Sequence, residues 1–134
     1  MMEVLYELKD KLDMKDDEFK EAKEEIKRID KILERENIVL NEQFKIGLYS
    51  HIISFIRRLK KGEKTIEIGN DIISQIKDYP LDIAKRIVVP IFEKYKTAPC
   101  FSEIILVAIH IQTAIYVKEG RDNNGRQDSC SDRR

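Results

Sequence analysis

The chain of 134 residues has no tryptophan, only five glycines and three prolines, and two cysteines. So few turn-making residues exclude an all-β domain, which needs Gly and Pro punctuation every ten residues or so. Cys100 and Cys130 form no C-x-x-C pair and no zinc-ligand spacing, so neither a disulfide framework nor a zinc site is expected, and a reduced, cytoplasmic setting is the simple reading. There is no surplus of charge: 25 basic residues face 25 acidic ones. No overall field therefore draws the protein to nucleic acid or to a membrane surface. The longest apolar stretch, Ile104 to Val117, is shorter than the ~20 residues of a membrane span and is interrupted by His110, Gln112 and Thr113. Glu3, Glu7 and Asp10 stand where a secretory signal would need an apolar run.

What remains is helical periodicity. Val4, Leu5, Leu8 and Leu12 predict a short amphipathic helix. The pattern restarts after Asp13, with Asp13, Asp16 or Asp17 as caps, and runs through Phe19, Ala22, Ile26, Ile29 and Leu33. Asp16 with Lys20 and Glu24 with Arg28 have the spacing of exposed i, i+4 pairs. This seam is too short for a coiled coil and fits one helix of a bundle. Asn41 is a good N-cap for a helix that buries Phe44, Leu48, Ile52, Phe55, Ile56 and Leu59 and stops at Gly62. The cations Arg57, Arg58, Lys60 and Lys61 in its last turn read as a solvated helix end. Ile66 to Ile76 predict a further helix with Ile72, Ile73 and Ile76 inward. A helix opening at Pro80 or Leu81 carries Ile83, Ala84, Ile87, Val88, Ile91, Phe92 and Tyr95, with a kink or short break expected at Pro90.

The last segment, Phe101 to Val117, is apolar nearly all round and predicts a buried helix. Ser102 is its expected N-cap, Glu103 suits its first turn, and Phe101 is placed to staple onto Leu106. Residues 118–134 have almost no apolar side chain, which predicts disorder. The expected fold is all-α: a compact bundle of about five to six helices and a disordered C-terminal tail. It divides into an N-terminal helical extension (1–37), the bundle (38–117) and the tail (118–134).

His51 and His110 lie inside apolar patterns on two different helices. A buried imidazole needs a hydrogen-bond partner or costs roughly 1–3 kcal/mol. No third or fourth ligand accompanies them at metal-site spacing. No nucleophile with an orienting acid announces a hydrolase. Acceptance of a phosphoryl group has simpler needs: a neutral imidazole, access for the donor, and cations for a group of about −1.5 to −2 charges.

The stretch Leu48-Tyr49-Ser50-His51-Ile52-Ile53-Ser54-Phe55-Ile56-Arg57-Arg58 resembles the first histidine helix of the phosphotransferase-system regulation domain (PRD). Ser102-Glu103-Ile104-Ile105-Leu106-Val107-Ala108-Ile109-His110-Ile111 resembles the second. Between them, Ile76-Lys77-Asp78-Tyr79-Pro80 with Ala84 is similar to the family's IK-x-x-YP stretch. The likeness covers about Asn41 to Val117, with Arg58 seven residues after the first histidine and Glu103 seven before the second. Ser50 and Ser102 stand where many members carry aspartate, and Ile105 where glycine is common.

The resemblance implies a helical, often dimeric, non-enzymatic regulatory module of carbohydrate phosphotransferase-system signalling, acting through an unidentified downstream partner. His51 and His110 would be the phosphoacceptors and Arg58 and Glu103 their neighbours. The donor would be the phosphocarrier HPr or an enzyme IIB component. No cofactor is implied. No output domain is recognised in the first forty residues, so a stand-alone member is expected. The many apolar faces of so small a chain predict a homodimer. The competing reading is a helical interaction or dimerisation protein whose histidines are core residues and are not phosphorylated.

Overall fold

The computed structural model describes residues 2–63 and 67–124. Among them are six helices and no strand: α1 (Met2–Lys11), α2 (Asp16–Arg35), α3 (Glu42–Lys61), α4 (Asn70–Ile73), α5 (Asp78–Lys94) and α6 (Phe101–Asn124). The periodic apolar positions converge on one core. Leu5 and Leu8 of α1, Ile26 and Ile29 of α2, Leu48, Ile52 and Phe55 of α3, Ile83, Ile87 and Phe92 of α5, and Val107, Ala108 and Ile111 of α6 are all buried in it. Each such aliphatic or aromatic side chain contributes roughly 1.5–3 kcal/mol on burial. Tyr49 is fully buried as well, and its hydroxyl donates to the Asp30 carboxylate. Burial and this bond push the Tyr49 pKa upward. α5 and α6 pack most extensively, and α6 also packs on α3.

Four helices close in the same way. The residue after the last turn takes a left-handed conformation: Asp13 (φ 51°), Asn37 (φ 57°), Gly62 (φ 73°) and Lys96 (φ 56°). The next N–H then reaches back five residues, from Met14 to Lys9, Ile38 to Leu33, Glu63 to Arg58 and Thr97 to Phe92. This satisfies carbonyls that the helix end would otherwise leave bare. Only Gly62 marks its stop in the sequence; the other three positions carry a Cβ that resists positive φ.

Several local expectations are corrected. None of Asp13, Asp16 and Asp17 caps α2, whose N-cap is Lys15 without a side-chain bond. Asp16 instead pairs with Lys9 at 2.9 Å, and Arg28 pairs with Glu25 at 3.0 Å rather than with Glu24. The expected helix over 66–76 shrinks to the four residues of α4, because Gly69 occupies its N-cap. Ile72 is 40% exposed rather than inward, and Ile66 lies outside the described residues. α5 opens at Asp78, before Pro80, and runs through Pro90 without a break.

α6 begins at Phe101, so Ser102 lies in its first turn, where its hydroxyl accepts from the Ile68 N–H at 3.3 Å rather than capping. Phe101 is 46% exposed, too open for a buried staple. Beyond Val117 the α6 backbone continues to Asn124, since extending a formed helix adds a bond per residue without a new nucleus. The rest of the tail, 125–134, lies outside the described residues, as does Cys130.

The basic end of α3 is tied down. Arg57 binds Glu18 and the Leu12 carbonyl, Arg58 binds Glu103, and Lys60 binds Glu21. The apolar faces that suggested a dimer, from Phe19 to Leu33, Leu48 to Leu59 and Ile104 to Ile115, are covered within one chain. No helix among the described residues is long and apolar enough to cross a membrane.

Candidate functional site

α3 and α6 cross with their polar exceptions facing each other. His51 and His110 stack, ring centroids 5.4 Å apart and planes inclined by 27°. Glu103, one of two buried charged or polar side chains among the described residues, sits at one end of this pair and is only 1% exposed. Its Oε1 lies 3.3 Å from His51 Nε2 and its Oε2 lies 2.6 Å from Arg58 Nη2. All four residues singled out in the sequence therefore meet. The order differs from a simple clamp: Arg58 holds Glu103, and Glu103 faces His51.

The local reasons are helical. His51 and Arg58 lie seven residues apart on α3, two turns along one side, as do Glu103 and His110 on α6. Crossing the two helices then sets one histidine against the other and Arg58 against Glu103. A carboxylate this deeply buried is tolerated because a guanidinium meets it.

The two rings differ in chemistry. His110 Nδ1 lies 2.9 Å from the Leu106 carbonyl oxygen, one helical turn back. A carbonyl only accepts, so Nδ1 carries the hydrogen and donates it. In the neutral ring Nε2 then keeps its lone pair. Burial lowers the His110 pKa, with the neighbouring His51 adding to the effect and the Leu106 bond opposing it. His110 is thus a neutral base at physiological pH. His51 turns Nε2 toward a carboxylate, the arrangement of an N–H rather than of a lone pair.

Sequence reasoning found these four residues but missed two others. The Leu106 carbonyl sets the His110 tautomer, and the i, i+4 spacing of Leu106 and His110 on a helix was the available signal. Gly47, four residues before His51, is a second α3 residue that lies beside the His110 ring. Nothing local in the sequence points to that contact across the interface. Among the described residues no three His, Cys, Asp or Glu side chains converge as metal ligands.

Arg58 and Glu103 also line a cleft of about 780 Å³ whose floor includes Phe55, Leu59 and Phe92. The histidines are not among its lining residues, so the cleft touches the site only through the Arg58–Glu103 pair.

A comparison with curated proteins finds no match. Among solved structures, a PRD-containing transcription regulator from Lactobacillus casei ATCC 334 is similar, with a TM-score of 0.70 over 83% of this chain and 94% of that one, at 20% identity. That likeness shows the fold. The family profile described as "PRD domain" matches residues 26–114, from the middle of α2 to near the end of the described α6 side chains. That match takes in most of the chain and all four residues of the α3–α6 site, so the chain belongs to the PRD family of regulatory domains found in transcription regulators governed by the phosphotransferase system.

Proposed function

We propose that this PRD is a phosphorylation-responsive regulatory module in which His110 accepts, on Nε2, a phosphoryl group from phosphorylated HPr or an enzyme IIB component. It is a regulatory module rather than an enzyme. The observation that carries the reading is the His110 Nδ1 bond to Leu106, which leaves Nε2 as a bare lone pair in a ring kept neutral by burial. With a phosphohistidine donor such as phosphorylated HPr, that lone pair attacks the donor phosphorus. The donor P–N bond breaks and its electron pair returns to the donor ring nitrogen. His110 keeps its Nδ1 hydrogen, so it takes over the protonated phospho-imidazole form that the donor ring gives up. His51 is the second acceptor. Because its Nε2 faces Glu103, a phosphoryl group there goes to Nδ1.

The new group brings about −1.5 to −2 charges to a half-buried interface. Those charges need cations or water. Arg58 is the site's own cation, already committed to Glu103. Phosphoryl group and carboxylate then compete for one guanidinium, and the outcome resets how α3 lies on α6. A change in that packing is what a downstream partner, or a second copy of the chain in a homodimer of the kind the family forms, would read.

Purified protein is incubated with phosphorylated HPr and, separately, with a phosphorylated enzyme IIB, and acid-labile phosphate is counted. Uptake reduced by His110→Ala, reduced less by His51→Ala and abolished in the double variant supports the assignment. No uptake from either donor favours the competing reading, a helical interaction bundle with core histidines. That reading draws on the Arg58–Glu103–His51 chain, a buried ion-paired cluster that a core can hold for packing alone.

A further inference from the structure

Gly47 sits in the interior of α3, where glycine costs roughly 1 kcal/mol relative to alanine. Its φ is not positive, so no backbone strain calls for it. Steric room does not call for it either. A Cβ built at Gly47 would meet His110 Cδ2 at 3.7 Å and His110 Nε2 at 3.9 Å. Both are ordinary van der Waals contacts, and nothing else across the interface comes within 4 Å. Alanine would fit without any neighbour moving. It would also lie against the Cδ2–Nε2 edge of the ring, the edge that carries the lone pair. The Leu106 bond already occupies the Nδ1 side.

We propose that Gly47 is the access-determining residue of His110: lacking a side chain, it leaves the Nε2 edge uncovered for an incoming phosphoryl group. The inference rests on the phosphoacceptor reading given above for its biological meaning, but the geometry that carries it is independent of any donor. A phosphoryl group seated on Nε2 must place its oxygens around that nitrogen, in space a Gly47 side chain would enter. The helix forgoes stability at this position, and the accessible nitrogen is what the missing methyl leaves behind. At His51 the Nε2 edge faces Glu103, so Gly47 has no bearing on the Nδ1 edge that would accept there.

The test uses the full chain as wild type, Gly47→Ala and Gly47→Leu. Diethyl pyrocarbonate, a small reagent for unprotonated imidazole nitrogen, is applied to each, and modification of His110 and His51 is followed separately by peptide mass. Phosphoryl uptake from phosphorylated HPr is measured in parallel. Gly47→Ala should raise Tm by roughly 3–5 °C, the worth of about 1 kcal/mol in a chain this size. It should at the same time slow His110 modification about tenfold, less than the ~10²-fold that a 1 Å misplacement can cost. Gly47→Leu should slow it further, with His51 unchanged in both.

A stabilised Gly47→Ala protein whose His110 reacts at the wild-type rate overturns the inference, whatever the Leu variant does. Slowed His110 modification together with slowed phosphoryl uptake supports both the inference and the acceptor reading. Slowed modification in a protein whose wild type takes no phosphoryl group from either donor class keeps Gly47 as the access residue and removes the phosphoacceptor role.

Discussion

Two polar clusters interrupt the apolar core, and they are built on opposite principles. Between α2 and α5, buried Glu25 is met by Arg28 at 3.0 Å and Lys94 at 3.0 Å. Arg28 goes on to donate to the Arg86 carbonyl at 3.2 Å and the Ile87 carbonyl at 2.7 Å. That second task has a clear cause. Pro90 has no N–H to give to the Arg86 carbonyl four residues back, so it leaves an unpaired acceptor in mid-helix. Arg28 supplies the missing donor from another helix, which explains how α5 passes through Pro90 unbroken. Between α3 and α6 the groups are not closed off in this way. His51 Nε2 meets Glu103 without a well-aligned hydrogen bond, and Arg58 Nε is buried with no hydrogen-bond partner among the described residues. His110 keeps a nitrogen bare. A cluster with its hydrogen bonds completed serves the fold, whereas one with polar atoms left open is what the proposed phosphoryl switch requires.

The contrast breaks or sharpens under mutation. The largest effect is expected at Arg28. Arg28→Ala takes one of the two cations from Glu25 and leaves the Arg86 carbonyl without a donor, and should cost about 3 kcal/mol in chemical denaturation, while phosphoryl uptake per folded molecule stays at the wild-type level. In a Pro90→Ala background, where the helix supplies its own N–H, the same change should cost about 1 kcal/mol less. Strict additivity would show that Arg28 does not repair the proline.

Arg58→Met removes a partner of the buried Glu103 carboxylate, and from an arginine side chain itself 26% exposed the loss should be about 2 kcal/mol. Unlike Arg28→Ala, it should also change phosphoryl uptake. Equal uptake in the two variants would erase the distinction between the clusters.

Lys96→Gly touches neither cluster and should gain about 1 kcal/mol by relieving a left-handed lysine. The gain would appear as a rise in the denaturation midpoint with no change in uptake.

The smallest effect is a pH dependence. Because burial lowers the His110 pKa in the folded state, the unfolded chain binds more protons once the pH falls below the ordinary value near 6.5. Stability contributed by a neutral His110 is therefore fully present above that value and is lost on acidification toward the folded pKa. Between pH 7.5 and 5.5 the wild type should lose more stability than His110→Gln. Parallel curves would show that His110 is not buried as a neutral ring.

Much of this was readable before the fold was known, and the reasons are specific. The core faces of α2, α3 and α5 follow from three-and-four spacing, because burial acts directly on that pattern. Asn41 and Gly62 mark their helix ends because their side chains, or the lack of one, satisfy the backbone locally: Asn41 Oδ1 accepts from the Phe44 N–H at 2.8 Å. His51 and His110 stood out as polar residues inside apolar helical patterns, and Arg58 and Glu103 were added by likeness to a family. What stayed hidden depends on pairs distant in sequence. Arg28 looked like the partner of Glu24, and nothing local tells that Pro90, 62 positions on, requires its donors. The stops at Asp13, Asn37 and Lys96 were equally silent, since tertiary packing there overrides the preference of the residue. The apolar faces that suggested a homodimer were likewise not assignable one by one, since most of them pack on one another within the chain.

The proposed acceptor role requires that His110 present a neutral Nε2, with its lone pair free, to a phosphoryl donor. Long-range ¹H–¹⁵N NMR of the histidine rings at neutral pH tests it most directly, before and after incubation with phosphorylated HPr or enzyme IIB. The expected result is a neutral His110 ring protonated on Nδ1, with a phosphorus coupling appearing on its Nε2 after incubation. A His110 ring protonated on Nε2, or phosphoryl incorporation that leaves the His110 resonances in place, would contradict it.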